Sequence, residues 1–262
     1  MSGNFVNRLI RTVFTCLVCL LIFSEFLSCR KEEKVIVTVL PQILNTEYQF
    51  RGFVTDDEEE LVSEIHNFTR TVTRQDTIAG RPVFAYVSNS QESLFYTDEA
   101  GTVREKDMTD LGARILKYGF SYRSPIIIHK WDTLLKMNDG VGTEWETHVD
   151  TTFTAFNLKG ETQEIRFIKN GKARYEGFTE TFVPEPYANV RVLDANWYDL
   201  STQLINQTTG DTLFSTSGSA HQYFQPDIGA VKYITDFVKT EIDEPTVSLR
   251  GTWELMRKQI PE

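Results

Sequence analysis

Beyond residue 29 this chain has no cysteine: three of its 262 residues are Cys, and Cys16, Cys19 and Cys29 all lie near the N-terminus. That excludes a disulfide framework, a thiolate zinc or iron–sulfur site and a cysteine nucleophile from the body of the protein. A domain of this length buries enough apolar surface to fold without cross-links. An excess of positive charge is missing too, since 27 basic residues face 37 acidic ones for a net charge of −10. With no basic stripe to offset that balance, phosphate-rich nucleic acid is not an expected partner. After Val35 no Gly/Ser-rich or Pro-rich linker and no repeat of fixed length divides the chain. Motifs of catalysis are absent as well. The four histidines, His66, His129, His148 and His221, are far apart, and there is no His-Glu-x-x-His, Gly-x-Ser-x-Gly or phosphate-binding Gly-x-x-x-x-Gly-Lys-Ser/Thr. The sequence therefore assigns no catalytic residue, no metal ligand and no cofactor, and the expectation is a non-enzymatic protein.

What is present begins at the N-terminus. Arg8 and Arg11 precede an apolar run from Thr12 to Leu27, which ends at the small residue Ser28. This is the layout of an export signal. The run is short for a membrane-spanning helix, which needs about 20 apolar residues, and it carries Glu25. Phe26-Leu27-Ser28-Cys29 resembles the lipobox of bacterial lipoproteins, with Leu27 larger than is usual at its position. The resemblance implies that residues 1–28 are a lipoprotein signal peptide. It also implies that Cys29 becomes the mature N-terminus, with a diacylglycerol on its sulfur and a third acyl chain, such as palmitate, on its amine. Each buried methylene contributes about 0.8 kcal/mol and one chain binds only marginally, so several chains make a stable anchor. Removing residues 1–28 takes away Arg8, Arg11 and Glu25, so 27 basic and 37 acidic residues become 25 and 36 and the mature chain stays acidic. Residues 29–34 form a charged membrane tether that stays hydrated. Within it Lys31-Glu32-Glu33 resembles a signal for display on the outer cell surface. The implied address is the outer membrane, on its periplasmic face or at the cell surface.

From Val35 to Glu262 the hydrophobic spacing is short-period and predicts a single β-rich domain, either an antiparallel sandwich or a curved, partly open barrel. Strands are expected at Asn67–Thr73, Val83–Ser88, Ser93–Thr97, Pro125–Lys130, Thr147–Phe156, Val190–Leu193, Thr202–Asn206 and Thr212–Thr216. Turn chemistry recurs at Ala79-Gly80, Asp98 to Gly101, Asn138-Asp139-Gly140, Thr208 to Asp211 and Pro226 to Gly229. Asn170-Gly171, between alternating segments, predicts a hairpin with a type I′ turn. Over Glu58–His66 a helix is expected, with the start of a strand as the alternative. The acidic run Asp56–Glu60 reads as a solvated loop in preference to a calcium site, because consecutive acids repel where ligands must converge.

Asp76 to Tyr86, Gly142-Thr143-Glu144-Trp145, Phe182 to Leu193 and Tyr223 to Val231 together resemble a loosely defined group of bacterial envelope lipoproteins with a β-rich domain. These motifs are turn and core residues, so the resemblance implies fold and location but no chemistry. The tryptophans Trp131, Trp145, Trp197 and Trp253 are expected in the core. Trp197-Tyr198 is the candidate ligand-binding pair, because adjacent strand residues face opposite sides. The leading functional expectation is a non-catalytic lipoprotein that binds or helps assemble an envelope component, whether protein, glycan or lipid. A carrier or sensor of an acyl chain or other apolar ligand in a half-open barrel is a second reading. A hydrolase with a dispersed site is a third; it requires a carboxylate and an imidazole to converge in a polar cleft. Ser219 and His221 share a strand face but are expected to be structural.

Overall fold

The computed structural model describes residue 39 and residues 43–88, 91–98, 100–108, 110–184, 188–226 and 228–260. The expected signal peptide 1–28, the expected lipidation site Cys29 and the expected tether 29–34 lie outside the described residues. Val37–Glu262 form one compact unit.

That unit is a 12-stranded antiparallel sheet nearly closed into a barrel. Its strands are β1 (Glu47–Thr55), β2 (His66–Ile78), β3 (Arg81–Ser88), β4 (Gln91–Thr97), β5 (Thr102–Asp107), β6 (Asp132–Lys136), β7 (Glu144–Phe156), β8 (Thr162–Val183), β9 (Ala188–Asn206), β10 (Asp211–Gln225), β11 (Gly229–Glu241) and β12 (Val247–Gln259). The order β6-β5-β4-β3-β2-β1-β12-β11-β10-β9-β8-β7 makes neighbours in the sheet neighbours in the chain, except where β1 pairs with β12 and joins the two halves. At that junction the buried Glu254 carboxylate accepts Arg51 Nε at 2.9 Å and Nη2 at 2.8 Å, and pairs with Lys232 Nζ at 2.9 Å, which links β1, β11 and β12.

The edges of the sheet are β6 and β7, which follow one another in sequence yet share no ladder. Side chains close this seam. The Trp145 indole N–H donates to the Thr133 carbonyl at 2.9 Å, the Thr147 hydroxyl donates to Asp132 Oδ1 at 2.7 Å, and Lys169 Nζ reaches Asp132 Oδ2 at 3.2 Å. Exposed edge strands invite pairing with other chains, and here a segment around Ile126–Lys130 runs beside β7, with Lys130 Nζ bonded to the His148 carbonyl.

Alternation sorts the faces. Along β8, Gln163, Ile165, Phe167, Ala173 and Tyr175 are buried while Glu164, Lys172 and Arg174 are not. The inward residues of nearly all strands join in one cluster that includes Phe50, Tyr86, Phe95, Trp145, Trp197 and Phe224. Val39, ahead of β1, is fully buried in the same cluster. At one end of the sheet a second cluster forms where α1 (Gly112–Ile115) and a following 3₁₀ turn (Leu116–Tyr118) bring Leu111 and Ile115 onto Ile165, Phe167, Leu204 and Leu213. Lys117 from that segment bonds the buried Glu241 of β11. Strand β3 is covered on both faces, since Val83 and Ala85 pack with Leu94, Met108 and Trp131 while Phe84 and Tyr86 belong to the main cluster.

Three local expectations are corrected. Asn170-Gly171 makes no hairpin but lies in the middle of β8. Gly171 has no positive φ; a Cβ there would come within 2.6 Å of Leu200 Cδ2 and 3.3 Å of Thr147 Cγ2, so the glycine serves close packing beside a bulge in the β8–β9 ladder. Glu58–His66 is not helical: the Asp56 carboxylate accepts the N–H groups of Glu58 and Glu60, a local bond that competes with a helix, and Leu61, Val62 and Ile65 stay exposed. Pro125–Lys130 is no ladder strand; it has a single bridge, Ile127 to Asp110, and its apolar residues pack as a covering segment. Among the described residues a short helix does form, α1 (Gly112–Ile115), which was not foreseen.

Candidate functional site

Every strand except β7 contributes to the wall of a cavity of about 230 Å³ inside the barrel. Tyr48 and Phe50 come from β1, Arg70 from β2, Tyr86 from β3, Phe95 from β4, Trp197 from β9, Tyr233 from β11 and Trp253 from β12. The volume lies somewhat below the ~300–1,000 Å³ of common small-molecule pockets.

The aromatic wall is internally braced. Phe50 stacks on Phe68 at 5.2 Å, Trp253 meets Phe50 edge-on at 5.2 Å and stacks with Tyr233 at 5.3 Å, and Trp197 meets Trp145 edge-on at 5.9 Å. Burial raises the Tyr86 phenol well above its ordinary value, against a smaller opposing pull from Arg70, and burial raises Tyr233 too. Both hydroxyls therefore stay protonated near neutrality and can donate hydrogen bonds.

Charge enters the same space. Arg70, Glu105, Asp132 and Lys169 all line the cavity, as does Gln222. Lys169 pairs with Asp132 across the β6–β7 seam. The Arg70 guanidinium lies 6.0 Å from the Phe50 ring centre and 5.9 Å from that of Trp253. These residues were not singled out from the sequence, because five strands, β2, β5, β6, β8 and β10, bring them together. A signal did exist: Arg70 sits between Phe68 and the buried Val72 at alternate positions of β2, and Lys169 between Phe167 and Gly171 of β8, so each is a charge on an otherwise inward face.

The structure divides the candidate pair Trp197 and Tyr198. Trp197 is 7% exposed and stands in the cavity wall, whereas Tyr198 is on the opposite face, beside Glu144 and Arg174. Trp253 also lines the cavity, while Trp145 is buried against Trp197. Among the described residues no group of three or more His, Cys, Asp or Glu is arranged to hold a metal ion.

One imidazole meets a carboxylate. His221 Nδ1 lies 3.0 and 3.1 Å from the two oxygens of Asp194, and the His221 ring stacks on Tyr223 at 5.8 Å. Asp194 raises the His221 pKa by this bond, against the opposing effect of burial, and Glu176 and Asp236 add to the rise. Burial pushes the Tyr223 phenol up to about 12. The pair is on the outer face of β9 and β10, since the neighbouring Ala220, Gln222 and Phe224 point inward. His66, His129 and His148 are exposed.

No protein-family model matches this chain, and no curated protein matches it. Two solved structures are similar in shape. One is a candidate lipoprotein from Parabacteroides distasonis, with TM-score 0.42 and 10% identity over 85% of this chain and 99% of that one. The other is a candidate exported protein with a YmcC-like fold from Bacteroides fragilis, with TM-score 0.39 and 6% identity over the same shares. At these scores the likeness carries no argument about function.

Proposed function

We propose that this is a lipid-anchored, non-catalytic protein of the bacterial envelope that holds a small polar envelope component inside its barrel. The anchor reading rests on the lipobox-like residues before Cys29, with the outer membrane as the address. The binding reading rests on one observation: an interior that combines aromatic faces with Arg70, Glu105, Asp132 and Lys169 around a cavity of about 230 Å³. These four side chains are partly buried, and Arg70 and Lys169 occupy inward positions of β2 and β8 where a plain core would carry apolar residues.

The geometry does not favour an acyl cargo. Four charged side chains line the cavity, and an alkyl chain would leave them facing hydrocarbon. Nor does it favour a hydrolase, because the His–Asp pair found among the described residues, His221 and Asp194, lies on the outer face and not in the cavity. Native mass spectrometry of the mature chain extracted from its own membranes tests the proposal. A small adduct that is lost on unfolding, and is absent from a Trp197→Ala variant that still folds, is the expected result. A bare chain in both cases would end the binding reading.

A further inference from the structure

We infer that the barrel cavity takes an organic carboxylate about the size of one sugar ring, received by the Arg70 guanidinium. This deepens the lumen-binding reading and rests on it. The interior cations differ in their partners. Lys169 is paired with Asp132, whose other oxygen accepts the Thr147 hydroxyl. Arg70 is held by the faces of Phe50 and Trp253 and, among the described residues, forms no ion pair with a carboxylate. Contact with ring faces leaves the in-plane N–H donors of a guanidinium unused, and that planar fork matches a carboxylate through two parallel bonds. A half-buried guanidinium backed by aromatic rings favours an anion that follows it into the cavity.

Size and walls narrow the body of the ligand. A cavity of about 230 Å³ suits a body the size of a single ring. Trp197 and Tyr233 line the same wall, and aromatic side chains pack well against such a ring. Inorganic phosphate would satisfy the guanidinium but would leave these aromatic faces without a partner.

The test is titration of the detergent-solubilised mature chain with glucuronate and galacturonate against glucose and galactose, which match them in size but lack the carboxylate. The indole N–H resonances of Trp197 and Trp253 report where binding occurs. The acids should shift both resonances and the neutral sugars should bind at least about tenfold more weakly. Arg70→Gln should remove that preference, Arg70→Lys should restore only part of it, and both variants should keep the dispersed spectrum of a folded barrel. If acids and neutral sugars shift the indoles equally, or Arg70→Gln leaves the preference intact, the carboxylate assignment is wrong and the cavity remains a binding site. If no compound moves either indole, the carboxylate assignment falls. If native mass spectrometry of the membrane-extracted chain also shows no adduct, the lumen-binding reading falls with it.

Discussion

Replacing Trp145 with Phe should loosen the barrel at one place. The substitution keeps an aromatic ring but removes the indole N–H that donates to the Thr133 carbonyl, a buried bond of 2.9 Å between the two sheet edges. A buried acceptor left without its donor costs about 1–3 kcal/mol. The edge-on contact with Trp197, at 5.9 Å, weakens with the smaller ring, and such pairs contribute about 0.5–1.5 kcal/mol. The expected loss is therefore about 1–4.5 kcal/mol by urea unfolding. Site-resolved hydrogen exchange gives the sharper reading, because no backbone ladder joins β6 to β7 and side chains carry the seam. Amides of Asp132–Lys136 should exchange much faster, while amides in the β1–β12 ladder should change only in proportion to global stability. A loss below ~0.5 kcal/mol, within the range of ordinary surface substitutions, would refute the closure argument. So would equal acceleration in both ladders.

Two further outcomes follow from the same contacts. His221 has a raised pKa in the folded state, so its contribution to stability is fully present below about pH 6.5, its ordinary value, and fades as pH rises through the folded value. His221→Gln should flatten the fall in urea midpoint between about pH 5.5 and about pH 8.5, and an unchanged slope would remove Asp194 as the cause. At Gly218 a Cβ would come within 2.0 Å of the Asp236 carbonyl oxygen and 2.8 Å of Phe237 Cα, both backbone atoms that cannot rotate away. Gly218→Ala should therefore cost at least the ~1–3 kcal/mol of core overpacking, whereas a neutral melting temperature would show that β10 and β11 are less closely apposed.

Much of the β architecture was legible because alternation and turn chemistry act locally. Ala79-Gly80 does connect β2 to β3, and Thr208 to Gly210 lie in the turn between β9 and β10. Pro226 and Gly229, with φ of 102° at the glycine, lead from β10 into β11. Asn170-Gly171 misled because its residues fit a turn equally well as a tight packing position, and only Leu200 and Thr147 from neighbouring strands decide between them. The expected strands Val190–Leu193 and Thr202–Asn206 are parts of one strand, β9, whose positive-φ residue Asp199 accommodates a bulge without ending the ladder. The cavity was less visible, since Arg70, Glu105, Asp132 and Lys169 meet only after the meander curls. Trp197 could be named from the sequence as a residue facing the side opposite to Tyr198, but not which side held a cavity.

The ligand reading matters to the cell only if the barrel reaches the envelope, and the proposal assigns that delivery to the residues around Cys29. Intact-mass analysis of the polypeptide extracted from membranes of the producing bacterium tests that step. The account requires a chain that starts at Cys29 and carries the mass of a diacylglycerol. A chain starting elsewhere, or starting at Cys29 with a bare thiol, would contradict it.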